Sequence, residues 1–363
     1  MPTLYQTYRP QTFADIIGQE SIKTTLQNEL KQGSTVHAYL FSGPRAVGKT
    51  TTARVFARAL NCTNRAADSV EPCNTCISCL AIQEGKTLDC IEVDAASHTG
   101  IDNVRENIIS AARVANSLLK YKVFIIDEVH MLSTAAFNAL LKLMEEPPEN
   151  VVFILATTEL HKVPATIISR CQRFDFKHIH PDVMKERLAD ITAKEGRVVT
   201  DGVLEQIVRL SGGCERDAES LLGQVLCLEG TIDETAAAIM LPRSDVLLVE
   251  AVLKGIATKK ADESLRALHG MVSAGGDVVM FGSDCVDALR DILLIKKEAS
   301  DLLSISEATK KTRTALAADF DEQHLLHTIT QFIGATRDAK WFSVPFFPLE
   351  VAIIKSCLYT HIR

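Results

Sequence analysis

Gly43-Pro44-Arg45-Ala46-Val47-Gly48-Lys49-Thr50 decides how this 363-residue chain is read. The octapeptide has the spacing G-x-x-x-x-G-K-[ST]. It stands between a β-rich run, His37 to Phe41, and a helical pattern from Lys49 to about Leu60. Strand, turn and helix in that order form a phosphate cradle. Gly43 and Gly48 let the backbone turn its N–H groups inward, and the helix start adds partial positive charge. Lys49 is placed to reach the β- and γ-phosphates of a nucleotide and Thr50 to offer its hydroxyl to Mg²⁺. Pro44, Arg45, Ala46, Val47 and Thr51 complete the loop and the first turn.

A second apolar run, Lys122-Val123-Phe124-Ile125-Ile126-Asp127-Glu128, ends in two carboxylates. Asp127 suits the coordination sphere of Mg²⁺. Glu128 suits the orientation or deprotonation of an attacking water, and the pair together favours hydrolysis over simple nucleotide holding. Thr157-Thr158, closing the next apolar run, can place a hydroxyl between these carboxylates and a γ-phosphate. Two arginines follow. Arg170 lies in Ser169-Arg170-Cys171, after a helix and before the last strand, and Arg216 opens a helix after Gly212-Gly213. On spacing alone each reads as a surface salt-bridge residue before it reads as a phosphate ligand.

Ten cysteines need an account of their own. Cys62-x₁₀-Cys73-x₂-Cys76-x₂-Cys79 supplies four thiolates inside a short insertion directly after the first helix, the donor set of a closed tetrahedral Zn²⁺ site. Two disulfides are the competing reading, and a redox C-x-x-C needs one reactive thiol rather than four. Such a metal is structural. The other six, Cys90, Cys171, Cys214, Cys227, Cys285 and Cys357, are scattered and read as small buried hydrophobes.

Outward from these motifs the chain has three parts. Residues 1–178 alternate strands (His37 to Phe41, Cys90 to Asp94, Lys122 to Asp127, Val151 to Thr157, Arg173 to Phe176) with helices, the pattern of a parallel sheet with helices on its faces. One of those helices carries Phe137, Leu140, Leu141 and Met144 and is stopped by Glu146-Pro147-Pro148. After His178 strands are no longer expected: residues 179–240 read as three or four short helices and 241–363 as longer ones, separated at Pro242, Gly275-Gly276 and Pro345. Residues 1–178 hold 18 basic and 18 acidic side chains, leaving 21 against 28 beyond. Bulk positive charge therefore does not hold nucleic acid, and any such contact is local or belongs to an assembly. Ser97 to Arg105 offers hydroxyls and N–H groups for phosphate, and equally reads as a plain helix cap. No apolar run approaches a membrane span and the N-terminus has no signal-like segment, so the expectation is a soluble, cytoplasmic protein with no membrane partner and reduced thiols.

Tyr8-Arg9-Pro10 with Gly18-Gln19-Glu20, the P-loop, Asp127-Glu128-Val129-His130, Met144-Glu145-Glu146-Pro147-Pro148 and Ser169-Arg170-Cys171 together resemble the AAA+ clamp loaders, most nearly the bacterial DNA polymerase III gamma/tau family. The resemblance is dense to about residue 240 and weak beyond. It implies an α/β AAA+ domain with a five-stranded parallel sheet over 1–178, a zinc module at 62–79, a helical lid over 179–240, and a helical domain over 241–363 that closes a ring. It also implies ATP and Mg²⁺ as cofactors, and as partners delta and delta-prime-like subunits in a hetero-pentamer, a sliding clamp and primed DNA. Under it Arg170 is an arginine finger acting on a neighbouring subunit's ATP, Thr158 is the sensor beside Asp127-Glu128, and Arg216 is the lid arginine that reads the γ-phosphate. Ala46 departs from the glycine common in the family, which adds strain if the loop needs a positive φ there. Two other readings are a non-hydrolysing, delta-prime-like scaffold, against which intact Lys49, Thr50, Asp127 and Glu128 argue, and another AAA+ DNA machine such as a branch-migration motor, against which the four-cysteine insertion argues.

Overall fold

The computed structural model describes residues 3–65, 69–97, 105–238, 240–241, 246–300, 303 and 307–359. The chain divides into two compact units, Met1–Met240 and Leu241–Arg363.

The first unit is organised by five strands, β1 (Ala38–Ser42), β2 (Cys90–Asp94), β3 (Lys122–Asp127), β4 (Val151–Thr157) and β5 (Gln172–Asp175). They form one sheet in the order β2-β3-β4-β1-β5, and every pairing is parallel. β1 and β4 are buried along their whole length, as strands covered on both faces must be. Alternation sorts their side chains into two cores. Tyr39, Phe41, Val123, Ile125 and Ile154 face one way with Phe56, while Leu40, Phe124, Ile126, Phe153 and Leu155 face the other with Phe137 and Leu140. Phe124 and Phe153 stack on adjacent strands with ring centroids 5.3 Å apart. Burying one such ring contributes roughly 1.5–3 kcal/mol, so the aromatic pairs of β1, β3 and β4 hold the sheet that carries the site.

Helix Lys49–Asn61 follows β1 directly and is buried over most of its surface, including Val55, Phe56 and Ala57. Helix Thr134–Glu145 begins where the Ser133 hydroxyl accepts the Ala136 amide, and ends before Pro147-Pro148, which cannot continue it. A buried charge fixes the start of β3. The Lys122 ammonium donates to the carbonyls of Ala111 and Val114 at 3.1 and 2.9 Å and lies 3.6 Å from the Asp89 carboxylate. Asp89 in turn accepts the amides of Ser117, Leu118 and Leu119. Burial opposes the charged form, but the hydrogen bonds outweigh it and hold this carboxyl below its ordinary value.

Helices Pro181–Lys194, Asp201–Ser211, Glu215–Val225 and Glu234–Ala237 complete the unit. As expected, no strand follows β5 among the described residues; Val199 and Ile232 form an isolated parallel bridge, where the extended residues beside helix Asp201–Ser211 pair through the Thr200 and Ile232 amides.

The second unit is helical, with Val246–Ala257, Ala261–Ser273, Val278–Lys296, Glu307–Asp319, Glu322–Ala339 and Phe347–Cys357. Its core gathers Leu253, Ile256, Leu268, Phe281, Leu289, Ile292, Phe332 and Ile353. Arg313 and Asp291 form an ion pair at 2.8 Å within it. Among the described residues no helix is long and apolar enough to cross a membrane.

Candidate nucleotide site and cysteine cluster

The motif residues of the candidate site sit at the carboxyl ends of β1, β3 and β4, where ligands bind in open parallel sheets. The loop after β1 turns on two glycines. Gly43 has φ +147, and a Cβ there would lie 2.4 Å from the Phe176 carbonyl oxygen; Gly48, with φ +94, caps helix Lys49–Asn61. Ala46 also adopts a positive φ, +59, so the condition for strain at this position is met. Val47 is buried in the core rather than facing the cleft.

Lys49 curls back over the loop, donating to the carbonyls of Gly43 at 2.9 Å and Pro44 at 2.6 Å. Burial lowers its pKa, and the carboxylates of Glu128 and Asp127 work against that shift. Thr50 donates its hydroxyl to Asp127 at 2.6 Å, so the two side chains suited to Mg²⁺ are already side by side. Glu128 has φ +46. Its carboxylate accepts both the hydroxyl of Thr158 at 2.9 Å and the Thr158 amide at 3.2 Å. Thr157, by contrast, is buried and faces the His130 ring, with Nδ1 3.0 Å from its hydroxyl oxygen. Of the two threonines only Thr158 therefore stands beside the carboxylate pair.

These groups open into a cleft of about 460 Å³, within the range of small-molecule sites. Arg45, Ala46, Gly48, Lys49, Thr50, Thr51, Asp127, Glu128 and Arg216 line it, together with Tyr5, Arg9, Pro10, Asp94, Glu215 and Glu219. Arg216 lies over the Tyr5 ring, 4.6 Å from its centroid, a cation–π contact. The helix carrying it is latched to the loop: the Glu215 amide donates to the Ala46 carbonyl at 3.0 Å and the Cys214 thiol to that of Arg45 at 3.3 Å. Arg170 is not among the lining residues. Its guanidinium is held by the Glu145 carboxylate at 2.7 Å and the Thr166 carbonyl at 2.8 Å.

Cys62, Cys73, Cys76 and Cys79 converge with their sulfurs all within 4.8 Å of one another, and all four are free thiols. The amides of Cys73 and Cys76 donate to the sulfurs of Cys62 and Cys73. Burial works against a thiolate at Cys76, yet hydrogen bonds, first from Thr63, bring its pKa down to about 5. Four sulfurs this close together, served by N–H donors, fit Zn²⁺. Of the scattered cysteines, Cys285 and Cys357 are buried as expected. Cys90, Cys171 and Cys214 are half-buried and Cys227 is exposed; the Cys214 thiol bonds the Arg45 carbonyl of the P-loop and the Cys227 thiol the Gly223 carbonyl of the preceding helix. Of the phosphate-contact candidate Ser97 to Arg105, residues 98–104 lie outside the described residues.

Residues 18–180 match the family model for the DNA polymerase III, delta subunit. DNA polymerase III subunit tau of Bacillus subtilis is 43% identical over 361 residues, 99% of this chain and 63% of that protein. The gamma/tau subunit of Mycobacterium tuberculosis is 40% identical over 81% of this chain and 51% of its own length. The chain is a homologue of the DNA polymerase III tau/gamma subunits. It spans between half and two thirds of the length of these two tau/gamma relatives. Its first unit is an α/β P-loop fold with a five-stranded parallel sheet and a four-cysteine insertion. A solved structure, the Thermotoga maritima RuvB A156S mutant, aligns with a TM-score of 0.49 at 19% identity over 75% of this chain and 87% of that one.

In this tau/gamma homologue the motif residues and the cleft largely coincide. Motif reading missed the far wall. Tyr5, Arg9, Pro10, Glu215 and Glu219 come from segments some two hundred residues apart, and neither segment has a spacing rule of its own. The signal available was Tyr8-Arg9-Pro10, quoted above for resemblance and not for the site.

Proposed function

We propose that this chain is the ATP-hydrolysing motor subunit of a DNA polymerase III clamp loader. In this reading residues 1–178 are the motor, 179–240 its lid and 241–363 the part through which it assembles with delta and delta-prime-like subunits. It would act in the cytoplasm, placing a sliding clamp on primed DNA. The observation that carries the reading is the pairing of Thr50 with Asp127 and of Glu128 with Thr158 beside the loop of Lys49. A scaffold subunit has no need of that arrangement.

Thr50 and Asp127 would hold Mg²⁺, whose charge would offset that of the polyphosphate when bound. Lys49 leaves the loop carbonyls for the phosphates, trading two hydrogen bonds for charge-assisted ones. The backbone N–H groups of residues 45–50 hold the polyphosphate at the helix start. Glu128 orients the attacking water and takes up its proton, with Thr158 fixing the carboxylate. Arg216, on the lid helix latched to Ala46, senses the γ-phosphate. Arg170 does not line its own cleft, and in this reading it neutralises charge on a neighbour's nucleotide. The cysteine cluster would hold a structural zinc. Exposed Trp341, Phe342 and Phe347 in the second unit suit contacts between subunits.

The test is ATP hydrolysis by the purified chain alone and with delta, delta-prime-like subunit, clamp and primed DNA. Strong stimulation by the complete set is expected. Hydrolysis indifferent to clamp and DNA would remove the clamp-loader reading, whatever the chain does with ATP.

A further inference from the structure

The far wall of the cleft holds a charge arrangement that nucleotide hydrolysis does not require. Glu215 and Glu219 lie one turn apart on helix Glu215–Val225, both line the cleft, and they share the guanidinium of Arg187 from helix Pro181–Lys194. That guanidinium makes its shortest bond elsewhere, from Nη2 to the Tyr8 carbonyl at 2.6 Å. It stands 3.5 Å from Glu219 and 3.7 Å from Glu215. Glu219 is only 3% exposed, and Glu215 Oε1 and Arg187 Nε are buried without a hydrogen-bond partner. Two buried carboxylates therefore divide one cation that is mainly engaged with the N-terminal segment. Ionising both leaves negative charge that Arg187 compensates only in part, which works against the doubly ionised form.

Other charged and titratable groups surround the pair. Tyr5, Tyr8 and Arg9 come from the N-terminal segment, and Tyr8 donates its hydroxyl to Glu195. Arg45 and Lys49 face it across the cleft, and Arg216 lies over Tyr5. Asp217 stands on the pair's own helix, and Arg209 on helix Asp201–Ser211, which packs against it. Burial first, then the charge of Glu215, push the Glu219 carboxyl up to about 7 against the pull of Arg187. Burial raises Glu215 as well.

We propose that Glu215, Glu219 and Arg187 form a proton-binding part of the nucleotide site, which takes up a proton when a nucleoside triphosphate enters the cleft. A polyanion added to the same cleft raises the electrostatic cost of ionising the second carboxylate, so the protonated pair is favoured in the bound state. The sign follows by linkage. If the bound state holds more protons than the free state, affinity is greater on the acid side and falls as pH rises through the pair's titration range, by up to about tenfold per pH unit for a full proton. The inference rests on the nucleotide reading above and adds a site to it.

The test is titration calorimetry of the full chain with the non-hydrolysable analogue AMP-PNP and excess Mg²⁺ near neutral pH, in buffers of differing ionisation enthalpy. The slope of observed enthalpy against ionisation enthalpy counts the protons exchanged. We expect an uptake of ~0.5 proton per nucleotide, falling to near zero in Glu219→Gln, with Glu215→Gln as the second variant should the first fold poorly. Binding with no net uptake, or an uptake unchanged in the variant that folds, overturns this inference and leaves the nucleotide reading standing. No binding by the unsubstituted chain overturns both.

Discussion

Cys62, Cys73, Cys76 and Cys79 aim four sulfurs at one point, whereas Lys49, Thr50, Asp127 and Glu128 stand around a cleft. Cys62 follows one end of helix Lys49–Asn61 and Lys49 and Thr50 open the other, with Asp127 and Glu128 added from the end of β3, and both clusters gather polar groups that repel or compete when left alone. The difference is closure. The cysteines use their amide donors and one another, and a metal at their centre has no open position for substrate. In the cleft every group is held only by partners it can leave: Lys49 by loop carbonyls, Thr50 by Asp127, Glu128 by Thr158. A closed cluster contributes to folding, and an open one is arranged for exchange. Asp89 with Lys122 is a second closed cluster, built from charges instead of sulfur.

The largest expected effect breaks the closed side. Replacing Cys76 by Ser, or stripping the metal with a chelator, should remove one equivalent of zinc. It should also cost local folding on the scale of about 10 to 16 kcal/mol of apparent metal binding. Elemental analysis and protease susceptibility of residues 62–83 read this out. Protein prepared without added metal but under reducing conditions should carry close to one zinc per chain, and a metal-free, fully folded module would end the idea.

Next is the arginine outside the cleft. Arg170→Ala is expected to leave ATP binding by the isolated chain nearly intact and to lower clamp- and DNA-stimulated hydrolysis by roughly 10³ or more. Mixed assemblies of Arg170→Ala and Lys49→Ala chains should regain turnover where a sound loop meets a sound arginine. Mixtures that assemble yet stay as inactive as either parent would place Arg170 outside the reaction.

A smaller loss is expected at the second closed cluster. Asp89→Ala leaves Lys122 buried with only two carbonyls, a defect of about 3 kcal/mol on the scale of broken buried pairs, seen as a lower unfolding midpoint with ATP binding retained. Because the Asp89 carboxyl is held below its ordinary value, its contribution is complete at neutral pH. It is lost only as pH falls through that lowered value, in the acid range. An Asp89→Ala chain as stable as the parent would show the ion pair to be incidental.

How much of this was legible beforehand differs between the two kinds of cluster. The cysteines are close in sequence, so C-x₂-C spacing implied the cluster itself, and the P-loop signalled Lys49 and Thr50 by the same logic. Asp127, Glu128 and Thr158 were legible because apolar runs of β-rich composition end at them, and parallel pairing of β3 with β4 brings those ends together. Arg9, Glu215 and Glu219 were not, since only tertiary packing of the N-terminal segment on helices Pro181–Lys194 and Glu215–Val225 sets them in one wall. Closure itself was also hidden: no spacing marks Asp89 and Lys122 as a buried pair, which the backbone amides around Asp89 complete. The positive φ of Ala46 was foreseen as a condition and is met.

The most direct test of an open site built for turnover separates binding from hydrolysis. Lys49 meets phosphate in ground and transition states alike, whereas Glu128 acts on water. Equilibrium ATP binding and single-turnover hydrolysis should be measured side by side for Lys49→Ala and Glu128→Gln. The account predicts that the first loses ATP binding, while the second binds ATP as the parent does, hydrolyses it slowly and accumulates as a clamp-bound complex. Equal loss of binding in both, or hydrolysis undiminished in Glu128→Gln, would contradict it.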